Sequence, residues 1–153
     1  FPYIQADEAP QDEPTIDTIR KVSDLLKDGK VVAWYQGHGE IGPRALGNRS
    51  ILYSAQGERQ RINDIKQRES FRPFGASILN GNSTRIHTVK SSQNPLFHTL
   101  LTEYVISTGI PLILNTSLNI NGKPIASTIA EAERLYNSTS IDALCVGNRL
   151  WIK

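Results

Sequence analysis

The sequence predicts an α/β (α+β) domain built on one mixed sheet. Three observations predict it. Short β-rich apolar runs, such as VVAWY (31–35) and IPLIL (110–114), alternate with segments whose apolar residues recur at helical spacing. The two kinds of segment are mixed along the whole length. The last two strands, DALCV and RLWIK, are separated by Gly147-Asn148, a two-residue hairpin signal. A length of 153 residues suits one domain.

Each element follows in order. Residues 1–13 (FPYIQADEAPQDE) are acidic and broken by proline, and read as an arm or linker ahead of a domain spanning 14–153. Ile16, Ile19, Val22, Leu25 and Leu26 fall at helical spacing, with Gly29 as the stop. Strands are expected at 31–35, 50–54 and 74–79, with a short polar helix at 58–67 and a loop at 80–85. Leu96, Leu100, Leu101 and Val105 mark a helix that ends at Gly109. A buried strand follows at 110–114, then a polar loop at 115–124. Thr128 and Glu131 form a capping box for a helix carrying Ala132, Leu135 and Tyr136. Trp34 and Trp151 fall in strands and are read as core residues.

Composition narrows the function classes. A net charge of +2 is too small to argue for a nucleic-acid or membrane partner, and no apolar run approaches a membrane span. The single cysteine, Cys145, excludes an internal disulfide framework and reads as an inert core thiol. Four Asn-x-Ser/Thr sequons occur, at Asn48, Asn82, Asn115 and Asn137. A glycan at Asn48 or Asn115 would block the motifs below, which favours the cytoplasm. The chain begins at Phe1 and contains no methionine, so it reads as a fragment of a longer protein.

Three stretches are polar where strands end, which is where ligand sites gather in open α/β sheets. The first is GPRALGNRS (42–50). Its glycines expose backbone N–H groups, and Arg44 and Arg49 are forked donors suited to phosphate or carboxylate. The competing reading is a solvated loop with its arginines paired to Asp or Glu. The second is IKQRESFRPF (65–74), with Lys66, Arg68 and Arg72. On a helix Lys66 and Arg68 diverge, whereas on extended chain they project together. A pair of cations in one site would hold a polyanion; the competing reading is a charged helix surface. The third is NTSLNINGKP (115–124), whose Asn115, Thr116, Ser117, Asn119 and Asn121 suit phosphate, ribose or metal-bound water. Turn chemistry explains the same residues. His38, His87 and His98 are too widely spaced to form a metal-ligand pattern. Glu40 reads as an acid, a base or a partner of Arg44.

Together, GKVVAWYQGHGEIGPRALGNRSIL, INDIKQRESFRPFGASIL and GIPLILNTSLNINGKPIASTIAEA resemble the carboxy-terminal domain of NodU/CmcH-type O-carbamoyltransferases, from about Gly29 to the end and in motif order. In that family this region has a YrdC-like fold, a twisted mixed sheet flanked by helices. The family's K-x-R and S-x-N signatures correspond to Lys66-Gln67-Arg68 and Ser117-Leu118-Asn119.

The resemblance implies a chemistry. ATP with Mg²⁺ would activate carbamoyl phosphate to carbamoyl adenylate in this domain. A separate Kae1-like amino-terminal domain would then pass the carbamoyl group to a hydroxyl acceptor. Lys66 and Arg68 would hold the carbamoyl phosphate or triphosphate, and Ser117 and Asn119 would contact the ATP phosphates and Mg²⁺. Arg44 and Arg49 would line the same cleft. Arg72 joins the same basic set, and Arg85, in STRIHTV, would be a further phosphate contact. The chain departs from the family by lacking the Kae1-like half. The family also usually carries several tens more residues between RPFGASIL and STRIHTV, so that either this is a naturally trimmed member or a loop is missing from the sequence. Two further readings stand beside this one. The first is a YrdC-like synthesis of threonylcarbamoyl adenylate for tRNA modification. The second is a non-catalytic module binding nucleotide or RNA through residues 58–72.

Overall fold

The computed structural model describes residues 7–39, 45–57, 59–69, 74–79 and 86–153. Helix α1 (Ile16–Lys27) precedes strands β1 (Val32–Tyr35) and β2 (Arg49–Tyr53). Helix α2 (Arg59–Lys66), β3 (Gly75–Ile78), β4 (Ile86–Thr88), helix α3 (Pro95–Thr108) and β5 (Leu112–Ser117) follow. Helix α4 (Ile129–Ser138), β6 (Ala143–Val146) and β7 (Arg149–Ile152) complete the order. The strands form one seven-stranded mixed sheet in the order β4-β3-β5-β2-β1-β6-β7. β1 runs parallel to β6 and β3 parallel to β4, and the other pairs are antiparallel. This is the mixed α/β sheet flanked by helices that the sequence predicts.

Alternation along the strands builds a core on each face. Val32, Trp34, Leu52, Ile113 and Cys145 pack against Ile19, Val22 and Leu26 of α1 and Phe97, Leu100 and Leu101 of α3. Ala33, Tyr35, Ile51, Tyr53 and Leu144 pack against Ile62 and Ile65 of α2 and Ala132, Leu135 and Tyr136 of α4. β1 is buried on both faces, which is why VVAWY is continuously apolar.

Helix ends follow local chemistry. The Thr15 hydroxyl caps α1, and Asn94 caps α3 ahead of Pro95. Gly109, at φ +71°, ends α3 in the left-handed region. The Thr128–Glu131 capping box forms as expected. Cys145 is fully buried, and burial pushes its thiol up to about 12, in keeping with an inert core residue.

Three expectations are corrected. β5 extends through Asn115, Thr116 and Ser117, which read as loop. The ladder to β2 (Leu52↔Asn115, Ile51↔Thr116, Ser50↔Ser117) overrides their weak strand preference. β4 went unpredicted because three residues show no usable period. Trp151 is exposed on edge strand β7 and lies under the Arg149 guanidinium, 5.3 Å from ring centre to carbon; among the described residues the sheet has no strand beyond β7 to bury it.

Gly47, at φ +97°, is where α3 meets the sheet. A Cβ there would lie 2.1 Å from the Phe97 ring, and the Gly47 carbonyl accepts from Trp34 Nε1 at 2.9 Å. Gly47→Ala is therefore expected to cost about 3 kcal/mol or more. Gly109→Ala, with nothing within 4 Å of the new methyl, should cost only about 1 kcal/mol. Urea unfolding of the two variants checks the difference.

Candidate functional site

Strand register gathers the polar stretches at one end of the sheet. Tyr35 pairs with Arg49, Ser50 with Ser117, Asn115 with Gly75, and Ala76 with Ile86. The C-terminal ends of β1 and β5 therefore lie beside the N-terminal ends of β2, β3 and β4. The Leu118 N–H donates to the Arg49 carbonyl at 2.9 Å, tying the third stretch to the first.

Lys66, the last residue of α2, reaches into this end with only 3% of its surface exposed. Its amine donates to the Ser117 carbonyl at 2.6 Å, to Ser117 Oγ at 3.1 Å and to Asn119 Oδ1 at 2.5 Å. The Ser117 hydroxyl in turn donates to Asn119 Oδ1 at 2.6 Å. Asn119 Nδ2 closes the loop on the Lys123 carbonyl, and the Asn121 N–H on that of Lys66. These acceptors match the N–H groups of an ammonium. Burial, and then the nearby Arg68 charge, pull the amine down from 10.5 to about 7. A group balanced near neutrality between charged and uncharged forms is suited to taking up an anion's charge.

The helix stops between the two cations of Lys66-Gln67-Arg68. Gln67 has φ +54°, in the left-handed region. The Gln67 N–H donates to the Asp64 carbonyl and the Arg68 N–H to the Asn63 carbonyl, the paired bonds of a Schellman ending. Arg68 is then oriented by an Nε bond to Asn63 Oδ1 at 3.0 Å and by stacking over Phe74 at 4.8 Å. Lys66, Arg68, Ser117 and Asn119 thus gather at this end of the sheet.

Arg49 is also here, but its side chain is fully buried. Nη1 donates to the carbonyls of Gln36 and Asn48. Nη2 donates to Asp7 Oδ1 at 2.9 Å and to the carbonyls of Glu8 and Gly37. The guanidinium stacks 3.6 Å over the Tyr35 ring. Arg44, Arg72 and Arg85 lie outside the described residues, as does Glu40. The sequence reading missed the helpers. Asn63 and the left-handed Gln67 carry no motif that marks them. The acidity of residues 1–13 is visible in the sequence and reads as an arm or linker, with nothing to mark the docking of Asp7 and Glu8 on the domain. His87 is half-buried, and burial lowers its pKa.

Asn115 is buried and donates Nδ2 to the Ala45 carbonyl and Ser77 Oγ, so a glycan has no room there. Among the described residues, no cluster of His, Cys, Asp and Glu is placed to hold a metal ion. No described helix is long and apolar enough to cross a membrane.

Fold and cluster define an α/β domain with a basic, hydroxyl- and amide-lined site at one end of its sheet. The model of the family described as carbamoyltransferase C-terminus matches residues 23–83 and 80–153, and the chain belongs to that family. It is 31% identical to nodulation protein NolNO of Sinorhizobium fredii, over 88% of this chain and 26% of that protein. It is 34% identical to the 3'-hydroxymethylcephem-O-carbamoyltransferase of Amycolatopsis lactamdurans, over 84% of this chain and 32% of that protein. The corresponding Streptomyces clavuligerus enzyme is 32% identical over 83% of this chain. The chain spans about a quarter to a third of the length of these relatives.

Two predictions follow from the geometry of this site. Gln67→Gly relieves left-handed strain and should stabilise the fold by about 0.5–1 kcal/mol, read as a higher urea midpoint. Lys66 is lowered on folding, so between about 7 and 10.5 the unfolded chain binds more protons and stability rises with pH. From about pH 9 upward the raised Cys145 and Tyr35 groups act in the opposite sense. Between pH 7 and 9, wild type should gain stability on the order of 1–2 kcal/mol, and Lys66→Met should lose that slope.

Proposed function

We propose that this domain activates carbamoyl phosphate with ATP: water releases inorganic phosphate and leaves a carbamate, whose oxygen attacks the α-phosphate of ATP to give carbamoyl adenylate and pyrophosphate. The observation that carries the reading is the convergence of the Lys66 amine on Ser117 and Asn119, 2.5–3.1 Å from their side-chain oxygens, with Arg68 alongside. Membership of the carbamoyltransferase C-terminus family, with relatives named as O-carbamoyltransferases, supports it. Transfer to a hydroxyl acceptor is assigned to a Kae1-like domain, and the cytoplasm is the proposed compartment.

The residues fit such ligands. Lys66 and Arg68 offset the charge of phosphate oxygens brought together in the reaction. Their restricted side chains place that charge without rearrangement at the moment of reaction. Ser117 Oγ and Asn119 Oδ1 are neutral oxygen donors. Such donors suit an Mg²⁺ that arrives on nucleotide phosphates and keeps most of its own water. The ion would supply charge neutralisation on those phosphates. Arg44, Arg72 and Arg85 extend the same cationic lining in this proposal.

Binding an anion restores the ammonium form of Lys66, so a proton is taken up as ATP binds. Affinity should fall by up to about tenfold per pH unit above pH 7, and calorimetry in buffers of different ionisation heat should register the proton. Pyrophosphate release from ATP, Mg²⁺ and carbamoyl phosphate should drop about 100-fold or more in Lys66→Ala. Release that is absent, or equal in parent and variant, overturns the catalytic reading. Release that depends on threonine and bicarbonate would instead support threonylcarbamoyl-adenylate synthesis.

A further inference from the structure

The acidic arm inserts one side chain into a cradle built from other elements. Asp7 Oδ1 accepts from Arg49 Nη2 at 2.9 Å, and Oδ2 accepts from the Gly39 N–H at 2.6 Å. His38 Nδ1 stands 3.6 Å from Oδ2 and is 90% exposed. The carboxylate is thus met by a guanidinium, a backbone N–H and an imidazole, the donor set of an oxyanion site. Gly39 fits it closely, since a Cβ there would lie 2.5 Å from Asp7 Oδ1. The Arg49 guanidinium is fully buried, and among the described residues its Nε has no hydrogen-bond partner.

We propose that Arg49, the Gly39 N–H and His38 form an oxyanion-binding cradle that the chain's own Asp7 carboxylate occupies as an internal competitor. A phosphate oxyanion that enters must displace the Asp7 carboxylate from the cradle. The cradle is distinct from the Lys66 cluster and is joined to it by the Leu118 N–H bond to the Arg49 carbonyl. The inference rests on the proposed phosphate chemistry only for its choice of oxyanion.

Other arm contacts make release graded. Glu8 remains held through its N–H to the Ser127 carbonyl at 2.8 Å and its carboxylate on the Ile129 N–H at 2.8 Å. Asp12 holds the Asn148 N–H at 3.1 Å. Asp7 can therefore leave while the rest of the arm stays docked. The incoming anion replaces the charge that Arg49 loses, so the buried guanidinium is not left unpaired.

The test titrates the full chain with inorganic phosphate at constant ionic strength, following the Gly39 amide and the His38 ring by NMR. Asp7→Asn should bind about tenfold more tightly than wild type or better. Adding His38→Ala should weaken binding in that background, whereas adding Lys66→Ala should leave the Gly39 response unchanged. Repeating the titration with ATP separates nucleotide phosphate from the free ion. Equal responses of wild type and Asp7→Asn at Gly39 would overturn the proposal and leave Asp7 as a structural clasp. Should Asp7→Asn fail to fold, the wild type still decides. In wild type, phosphate, but not chloride of equal ionic strength, should shift the Asp7 side-chain carboxylate carbon resonance together with the Gly39 amide, and no shift at Asp7 refutes the competitor. The pyrophosphate assay reads Lys66 and the NMR titration reads Gly39, so either reading can fail without the other.

Discussion

A guanidinium with no solvent exposure holds the polar end of this sheet together. Burying a charge costs several kcal/mol unless it is paired and its hydrogen bonds are met, typically about 3–5 kcal/mol when one partner is removed. Arg49 meets that demand at both terminal nitrogens, with the carbonyls of Gln36, Gly37, Asn48 and Glu8 and the carboxylate of Asp7. Each partner is thereby fixed in turn: the exit of β1, the entry of β2 and the acidic arm. Its own carbonyl accepts from Leu118, between the two residues that hold Lys66. The Tyr35 ring lies beneath the guanidinium and its hydroxyl bonds to the Glu8 carbonyl. Burial, opposed in part by Arg49, pushes that phenol up to about 12, so it stays a donor.

Much of this was legible in the sequence because single-residue rules govern it. Thr128 with Glu131, Gly109 after a helical stripe and Gly147-Asn148 between strands are local signals, and local geometry obeys them. The meeting of Lys66 with Ser117 and Asn119 was legible only as motifs, since register alone decides which strand ends are neighbours. Asn115 to Ser117 misled because short polar side chains signal turns, while pairing to β2 on one side overrode that preference. The docking of Asp7 and Glu8 was invisible for a different reason. A carboxylate on an arm carries no period, and its partners, Arg49 and Ile129, are distant in sequence.

Gln67 explains how two cations separated by one residue belong to one site. A continued helix would turn Lys66 and Arg68 away from each other. An ordinary ending would place glycine at the left-handed position. Here glutamine holds it, at a cost on the order of 1 kcal/mol, and the chain turns so that Arg68 is braced by Asn63 and Phe74. The proximity of Arg68 then helps depress Lys66. Backbone strain and a perturbed lysine thus fall on adjacent residues.

The join between β3 and β4 ties topology to the relatives. The two strands are parallel neighbours, a relation that ordinarily takes a crossover of about a dozen residues or more, usually with a helix. This chain has only residues 79–85 between Ile78 and Ile86, about 23 Å of fully extended backbone. The family match divides into two segments that meet at 80–83. The alignment to NolNO runs over 176 residues, more than this chain's 153. The relatives therefore carry residues that this chain lacks, and the short parallel join is where topology calls for them. Ile86 pairs with Ala76, at the end of the sheet that carries Asn115 and Ser117. A longer crossover would return to β4 at that end, beside the Lys66 cluster. Residues that the relatives carry at this join would thus stand at the approach to the very strand ends where the cations gather.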